Sequence, residues 1–262
     1  MTATPATAPP GMTPGPAPFR HYLRATLAHA RTEVSLTLSQ SEQLLVSLGL
    51  PIILLVAFTY IPIGSVGRVH RIDFVAPGIL ALAVMSTAMV ALGIGTSFER
   101  SYGVLKRLGS TPLGRPGLIA AKTCSVLAIE GVQVVVIGAV AAGLGWRPPA
   151  DPGPAVGAYL LATLAFAGLG MLLAGALPSH LVLGVANGLW VVLLLLGGMI
   201  FPLGLLPGGL QDLGRALPAA ALSTALYRTV GVGGGVPVWA WAVLAAWGVA
   251  APVTAVLMFQ WE

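Results

Sequence analysis

The stretch VAPGILALAVMSTAMVALGIGTS, residues 75–97, runs for 23 positions without a charged side chain. A helix rising about 1.5 Å per residue needs about 20 such residues to cross the ~30 Å hydrocarbon layer of a bilayer, so this stretch reads as a membrane span. Five further apolar stretches, at 44–63, 121–144, 156–177, 181–203 and 237–259, are near or above the same length. Pro51 and Pro252 fall inside the first and last of them, where neighbouring helices and water can satisfy the carbonyls that a proline frees.

Composition agrees with this reading. Hydrophobic residues make up 56% of the 262 and charged residues 8%, against about 25% charged in an ordinary soluble domain. A water-soluble fold is excluded. The excess of 13 Lys and Arg over 8 Asp and Glu therefore reports topology and contact with anionic headgroups rather than nucleic acid, and no basic run is interleaved with aromatics. A single cysteine, Cys124, allows neither an intrachain disulfide nor a multi-cysteine metal site, and in an apolar setting it reads as a small buried hydrophobe.

Residues 1–18, MTATPATAPPGMTPGPAP, carry no charge and consist mainly of Pro, Ala, Thr and Gly, as a disordered cytoplasmic tail would. They lack the basic start and the apolar core of a secretory signal. From 19 to 43, helical spacing gathers Phe19, Leu23, Leu27, Ala30 and Val34 on one arc, edged by Arg20, Arg24 and Arg31. A basic stripe beside an apolar face predicts an amphipathic helix lying in the membrane interface and touching lipid. The domains are thus a tail at 1–18, an interfacial helix at 19–43 and a six-span domain at 44–262.

Lys and Arg stay preferentially on the cytoplasmic side. With both termini inside, eight basic residues are cytoplasmic (Arg20, Arg24, Arg31, Arg100, Lys106, Arg107, Arg115, Lys122) and five are external (Arg68, Arg71, Arg147, Arg215, Arg228). Trp146, Trp239 and Trp241 then fall where an outer aromatic belt belongs. The bias toward Ala, Gly, Pro and Arg suggests a high-GC bacterium, and hence a bacterial cytoplasmic membrane.

The loop at 98–122, FERSYGVLKRLGSTPLGRPGLIAAK, is too long for a passive connector. Its residues Glu99 to Leu108 can form an amphipathic helix, with Tyr102, Leu105 and Leu108 as apolar knobs and Arg100, Lys106 and Arg107 elsewhere on its surface. Gly109 stops that helix, and Ser110, Thr111 and Pro112 can start another element. Such a helix suits docking into a groove on a partner.

The run ER-x-YG-x-L-x4-STPLGR-x6-AK, Glu99 to Lys122, resembles the signature loop of type-2 ABC exporter permeases, the class that includes drug and antibiotic efflux subunits. The segment GGMIFPLGLLPGGLQDLGRALPAAALSTALYR, Gly197 to Arg228, resembles the external region of the same family. The resemblance implies an all-α polytopic fold with external re-entrant short helices between spans five and six, in the segment 204–236. It implies a second permease subunit, a homodimer or a similar chain, above two ABC-type ATPase subunits. The loop would seat in the ATPase through Glu99, Arg100, Tyr102, Leu105, Lys106, Arg107, Leu108, Thr111 and Pro112.

The chain has no G-x4-GK-[ST], since neither lysine follows a glycine, and no H-E-x-x-H or G-x-S-x-G. The expectation is therefore a non-enzyme without cofactor or metal, with ATP and Mg on the partner subunit. Glu130 lies about 12 Å along the third span from Lys122 and is the one acid well inside a span. A charge at that depth costs about 2.5–3.5 kcal/mol on an insertion scale, and the five Val and Ile residues between Val132 and Ile137 return only about 2 kcal/mol. Glu130 thus faces protein or water, either lining the translocation path or bonded to another span. Gln133 is one turn on, and Asn187, within the GxxxG of Gly184 to Gly188, is a third path candidate. The rival reading is an ion-coupled secondary transporter or channel that uses Glu130.

Overall fold

The computed structural model describes residues 31–32, 41–61, 70–109, 114–148 and 152–259, without the side chains of 41–46 and 108–109. The expected tail and most of the interfacial helix lie outside these, while Arg31 and Thr32 are helical and exposed. No strand occurs among the described residues. In chain order the helices are α1 Ser41–Tyr60, α2 Arg71–Ser101, α3 Val104–Gly109, α4 Gly114–Gly143, α5 Gly153–Ala176, α6 Ser179–Leu196, α7 Gly208–Arg215, α8 Pro218–Leu226 and α9 Val238–Met258.

Five of them, α2, α4, α5, α6 and α9, are long and apolar enough to cross a membrane. They match five of the six apolar stretches. The helix α1 coincides with the other stretch and is apolar over Ser47–Tyr60. Two boundaries differ in an informative way. The helix α4 begins at Gly114, not near 121, so Lys122 belongs to its third turn and is buried. The helix α6 ends at Leu196, not near 203, because Gly198 adopts a left-handed φ of +67° and turns the chain away while its apolar character continues.

Each helix has a place that its composition explains. The first half of α2, from Phe74 to Met85, is buried on all sides, as expected of a helix that is hydrophobic all round. The segment 204–236, expected to be external, contains the two short helices α7 and α8. Of these, α8 is buried against α2, α5 and α9, and α7 exposes Leu210 and Leu213. In contrast, α6 leaves most of its surface uncovered.

The helix α5 is the hub. It packs most extensively against α9 and also meets α2, α4, α6 and α8. Glycines make the approach possible. A Cβ on Gly170 would stand 2.7 Å from the carbonyl oxygen of Met89, within a π turn of α2 at Ser86–Ala91. A Cβ on Gly168 would collide with the backbone of Ala251 and Pro252 in α9.

Two expectations are corrected by the packing. Trp146 is not part of an outer belt: it is buried, and its Nε1 donates to the Val230 carbonyl at 3.0 Å. Cys124 is exposed rather than buried, because it faces away from the bundle on α4. Trp239 and Trp241 are half-buried at the start of α9.

Replacing Gly168 with Leu is expected to force α9 off α5 and to destabilise the protein by about 1–3 kcal/mol or more, the usual cost of overpacking. Gly131→Leu is the control, since a Cβ there meets nothing within 4 Å. Thermal unfolding in detergent should show a lower midpoint for the first variant and an unchanged one for the second.

Candidate functional site

Two groups of polar residues stand out, one at the end of the bundle that carries α3 and one in its middle. At the α3 end, α2 runs on through Glu99 and Arg100 to Ser101. The expected helix from Glu99 to Leu108 is therefore broken. Tyr102 caps α2, and Gly103 follows at a φ of +73°, a left-handed residue that a helix C-terminus favours. Only then does α3 begin, and it ends at Gly109.

This break changes what the candidate residues touch. Arg100 donates from Nη1 to the Gly175 carbonyl at 2.9 Å and from Nη2 to the Leu177 carbonyl. A guanidinium thus satisfies carbonyls at the C-terminal end of α5, where its charge also suits the helix dipole. Ser179 adds a bond from its hydroxyl to the Ser97 carbonyl at 2.7 Å. Glu99 pairs through Oε1 with the Lys122 ammonium at 2.6 Å, which joins α2 to α4.

Leu105 is the larger correction. Spacing suggested an outward knob, but the side chain is fully buried among Leu118 and Ile119 of α4, Met171 of α5, and Ala255 and Phe259 at the end of α9. On the outer side of the same segment, Tyr102 is 77% exposed and stacks on Phe98. Lys106 and Arg107 are exposed too. Leu108 belongs to α3 by its backbone, and Thr111 and Pro112 lie outside the described residues.

In the middle of the bundle, Glu130 is fully buried. The Thr163 hydroxyl of α5 lies 2.6 Å from its Oε2 and 3.0 Å from the Tyr159 carbonyl. Oε1 of Glu130 and the Tyr159 hydroxyl are buried without a hydrogen-bond partner among the described residues. Gln133 joins different helices. Its Nε2 donates to Thr87 Oγ1 in the π turn of α2 at 3.0 Å and to the Ser47 carbonyl of α1 at 3.3 Å.

Glu130 and Gln133 thus occupy neighbouring turns of α4 but bond to different partners within one chain. Asn187 does not join them: it is exposed on α6, and its Nδ2 donates to the Leu183 carbonyl of its own helix at 2.7 Å. Sequence reading missed Thr87, Tyr159 and Thr163. The spacing of Tyr159 and Thr163 on one helix face, within an otherwise apolar span, was the available signal.

The family model for ABC-2 type transporters matches residues 24–229, most of the chain and nearly all of the region just described. The chain belongs to the ABC-2 type transporter family. A search of curated proteins finds no match. As an ABC-2 family member it is a multi-pass membrane protein and a permease, the transmembrane component of an ABC transporter rather than its catalytic ATPase. The resemblance of the loop and of the external segment thus led to the right family.

In this permease, Lys122→Met leaves Glu99 without its cation. The expected cost is about 1–3 kcal/mol, reduced from that of a fully buried pair because Glu99 is one-third exposed. The double variant Glu99→Gln, Lys122→Met should recover much of the loss. Thermal unfolding of the wild type, both single variants and the double variant measures the coupling.

Proposed function

We propose that this permease is one half of an ATP-driven exporter, with a second copy or a similar chain beside it and two ATPase subunits docked at the α3 end. ATP and Mg then belong to the ATPase subunits. Export rather than import follows from the resemblance to efflux permeases.

The observation that carries this reading is the two-sided construction of the segment Tyr102–Arg107. One side offers Tyr102, Lys106 and Arg107 to solvent, and Leu105 on the other side is clamped between α4, α5 and α9. A partner pressing on the exposed side moves a residue that is wedged among three helices. Leu105 is then the link between partner and bundle, and Tyr102, Lys106 and Arg107 are the contact, with Glu99 and Arg100 holding the platform from within. An aromatic flanked by cations is a fitting docking surface, since such residues often supply a large part of interface energy.

Topology follows from the same placement. Taking α1 as a first span gives six, with both termini, α3 and the basic interfacial helix on the cytoplasmic side of a bacterial plasma membrane, and α7 and α8 outside as short re-entrant elements. The sidedness rests on the eight basic residues that this arrangement places inside. A second permease would cover α6, where Leu183, Val191 and Leu195 are exposed and nothing lies within 4 Å of a Cβ on Gly184 or Gly188. Closed two-fold pairing is the common way to complete such a surface.

Copurification of an ATPase with Walker motifs tests the reading directly. Tyr102→Ala combined with Lys106→Glu and Arg107→Glu should reduce ATPase retention at least tenfold while insertion and thermal midpoint stay unchanged. Native mass measurement should give two permease chains per complex. A solitary chain that transports without an ATPase overturns the proposal.

A further inference from the structure

Along α4, Pro116, Ala120, Thr123, Cys124 and Leu127 form one stripe at helical spacing, and this stripe lines a crevice of about 490 Å³. Pro252, Val256 and Leu257 of α9 make much of the opposite wall. The wall is almost wholly apolar. Even the Thr123 hydroxyl is turned back to the Ile119 carbonyl of its own helix, at 2.8 Å. Leu257 is 72% exposed at its edge, so the crevice is open to whatever surrounds the bundle.

The length of this crevice selects an occupant. From Pro116 to Leu127 the helix rises about 16 Å, close to half of the ~30 Å hydrocarbon layer, so the crevice is as long as one leaflet's hydrocarbon is deep. A cation precedes the first residue of the stripe. Arg115, next to Pro116 and half-exposed, makes no ion pair among the described residues. A long apolar slot with an arginine one residue beyond its end complements a molecule with an anionic head and a hydrocarbon tail.

We propose that this crevice is a binding site for an anionic phospholipid of the leaflet on the α3 side, with one acyl chain between α4 and α9 and its phosphate on Arg115. The exporter reading above decides only that this leaflet is cytoplasmic; the site itself does not depend on it. The lipid then wedges α4 against α9, the two helices that also grip Leu105. The stripe continues through Leu127 into a second cavity, of about 540 Å³, which ends at Pro148 beside the exposed Arg147. The motif of an arginine next to a lining proline thus recurs at the far end of α4.

Cys124 reports occupancy, because it is the chain's one cysteine, lies in the stripe and is exposed. The full-length protein in mild detergent is labelled with N-ethylmaleimide in the presence of phosphatidylglycerol, phosphatidylcholine or inorganic phosphate. Phosphatidylglycerol should slow labelling at least tenfold, phosphatidylcholine less, and phosphate not at all. Arg115→Gln should remove the preference for phosphatidylglycerol. Ala120→Phe, which fills the slot, should remove lipid retention in native mass spectra.

Equal protection by phosphate alone, or none by phosphatidylglycerol, overturns the site. So does efficient Cys124 to Cys124 cross-linking between chains, which assigns the face to a second copy. If Ala120→Phe does not fold, the lipid comparison on the wild type still decides. The assay contains no ATPase, so its outcome and the ATPase copurification result stand or fall separately.

Discussion

The close approach of α5 to α2 and α9 is the constraint on which the rest of the bundle depends. In water, burying apolar surface would draw these helices together, but lipid tails are as apolar as leucine and offer no such drive. Association must come from packing and from polar bonds between helices. The glycines at 168 and 170 let backbones touch, and the many short contacts of a tight interface replace the missing hydrophobic term. The π turn of α2 belongs to the same contact. It lies against Gly170, and its Ser86 hydroxyl accepts a bond from Trp190 of α6 at 2.9 Å. A single irregular turn therefore fixes α2 against two neighbours.

At the α3 end the same logic operates with charge. A buried helix terminus has carbonyls that need donors, and Arg100 brings a pair of them from α2 to the end of α5. Glu99, one residue earlier, points the other way to Lys122 of α4. Adjacent residues on one helix thus tie it to both neighbours, which makes this end a rigid platform. In the function proposed above, Leu105 acts as a lever because the platform does not yield around it. A flexible loop carrying the same residues would absorb a push from a partner without passing it on.

Much of the architecture was legible because a membrane span announces itself by length and apolarity alone. For the same reason the faces of the spans were not legible. A soluble helix shows its inward side by the period of its apolar residues, whereas α5 and α9 are apolar almost all round and α4 interrupts its apolar surface at only a few polar positions. Cys124 was read as buried and is exposed; Trp146 was placed at a belt and is buried. Leu105 failed for a related reason. Its spacing with Tyr102 is helical, but Gly103 takes a left-handed conformation between them and turns the two side chains to opposite environments. The need for a partner at Glu130 was readable from the cost of burying a carboxyl, but the partner's identity required knowing which helix stands opposite.

The middle of the bundle shows why such polar residues are tolerated. Gln133 bonds a side chain of α2 and a backbone carbonyl of α1, while Glu130 reaches Thr163 of α5. One face of α4 therefore contacts three helices through polar atoms, and sliding α4 by a turn would leave each of these groups unpaired in hydrocarbon. The cost of an unpaired polar group there exceeds the net gain of the bond itself, so the network specifies register more than it adds stability. For a permease that must move without coming apart, this division of labour is useful. Glycine contacts hold α2, α5 and α9 together, and polar bonds set the height at which α4 sits beside them. The surface of α4 that these bonds leave outward is the one that carries Cys124 and the apolar stripe.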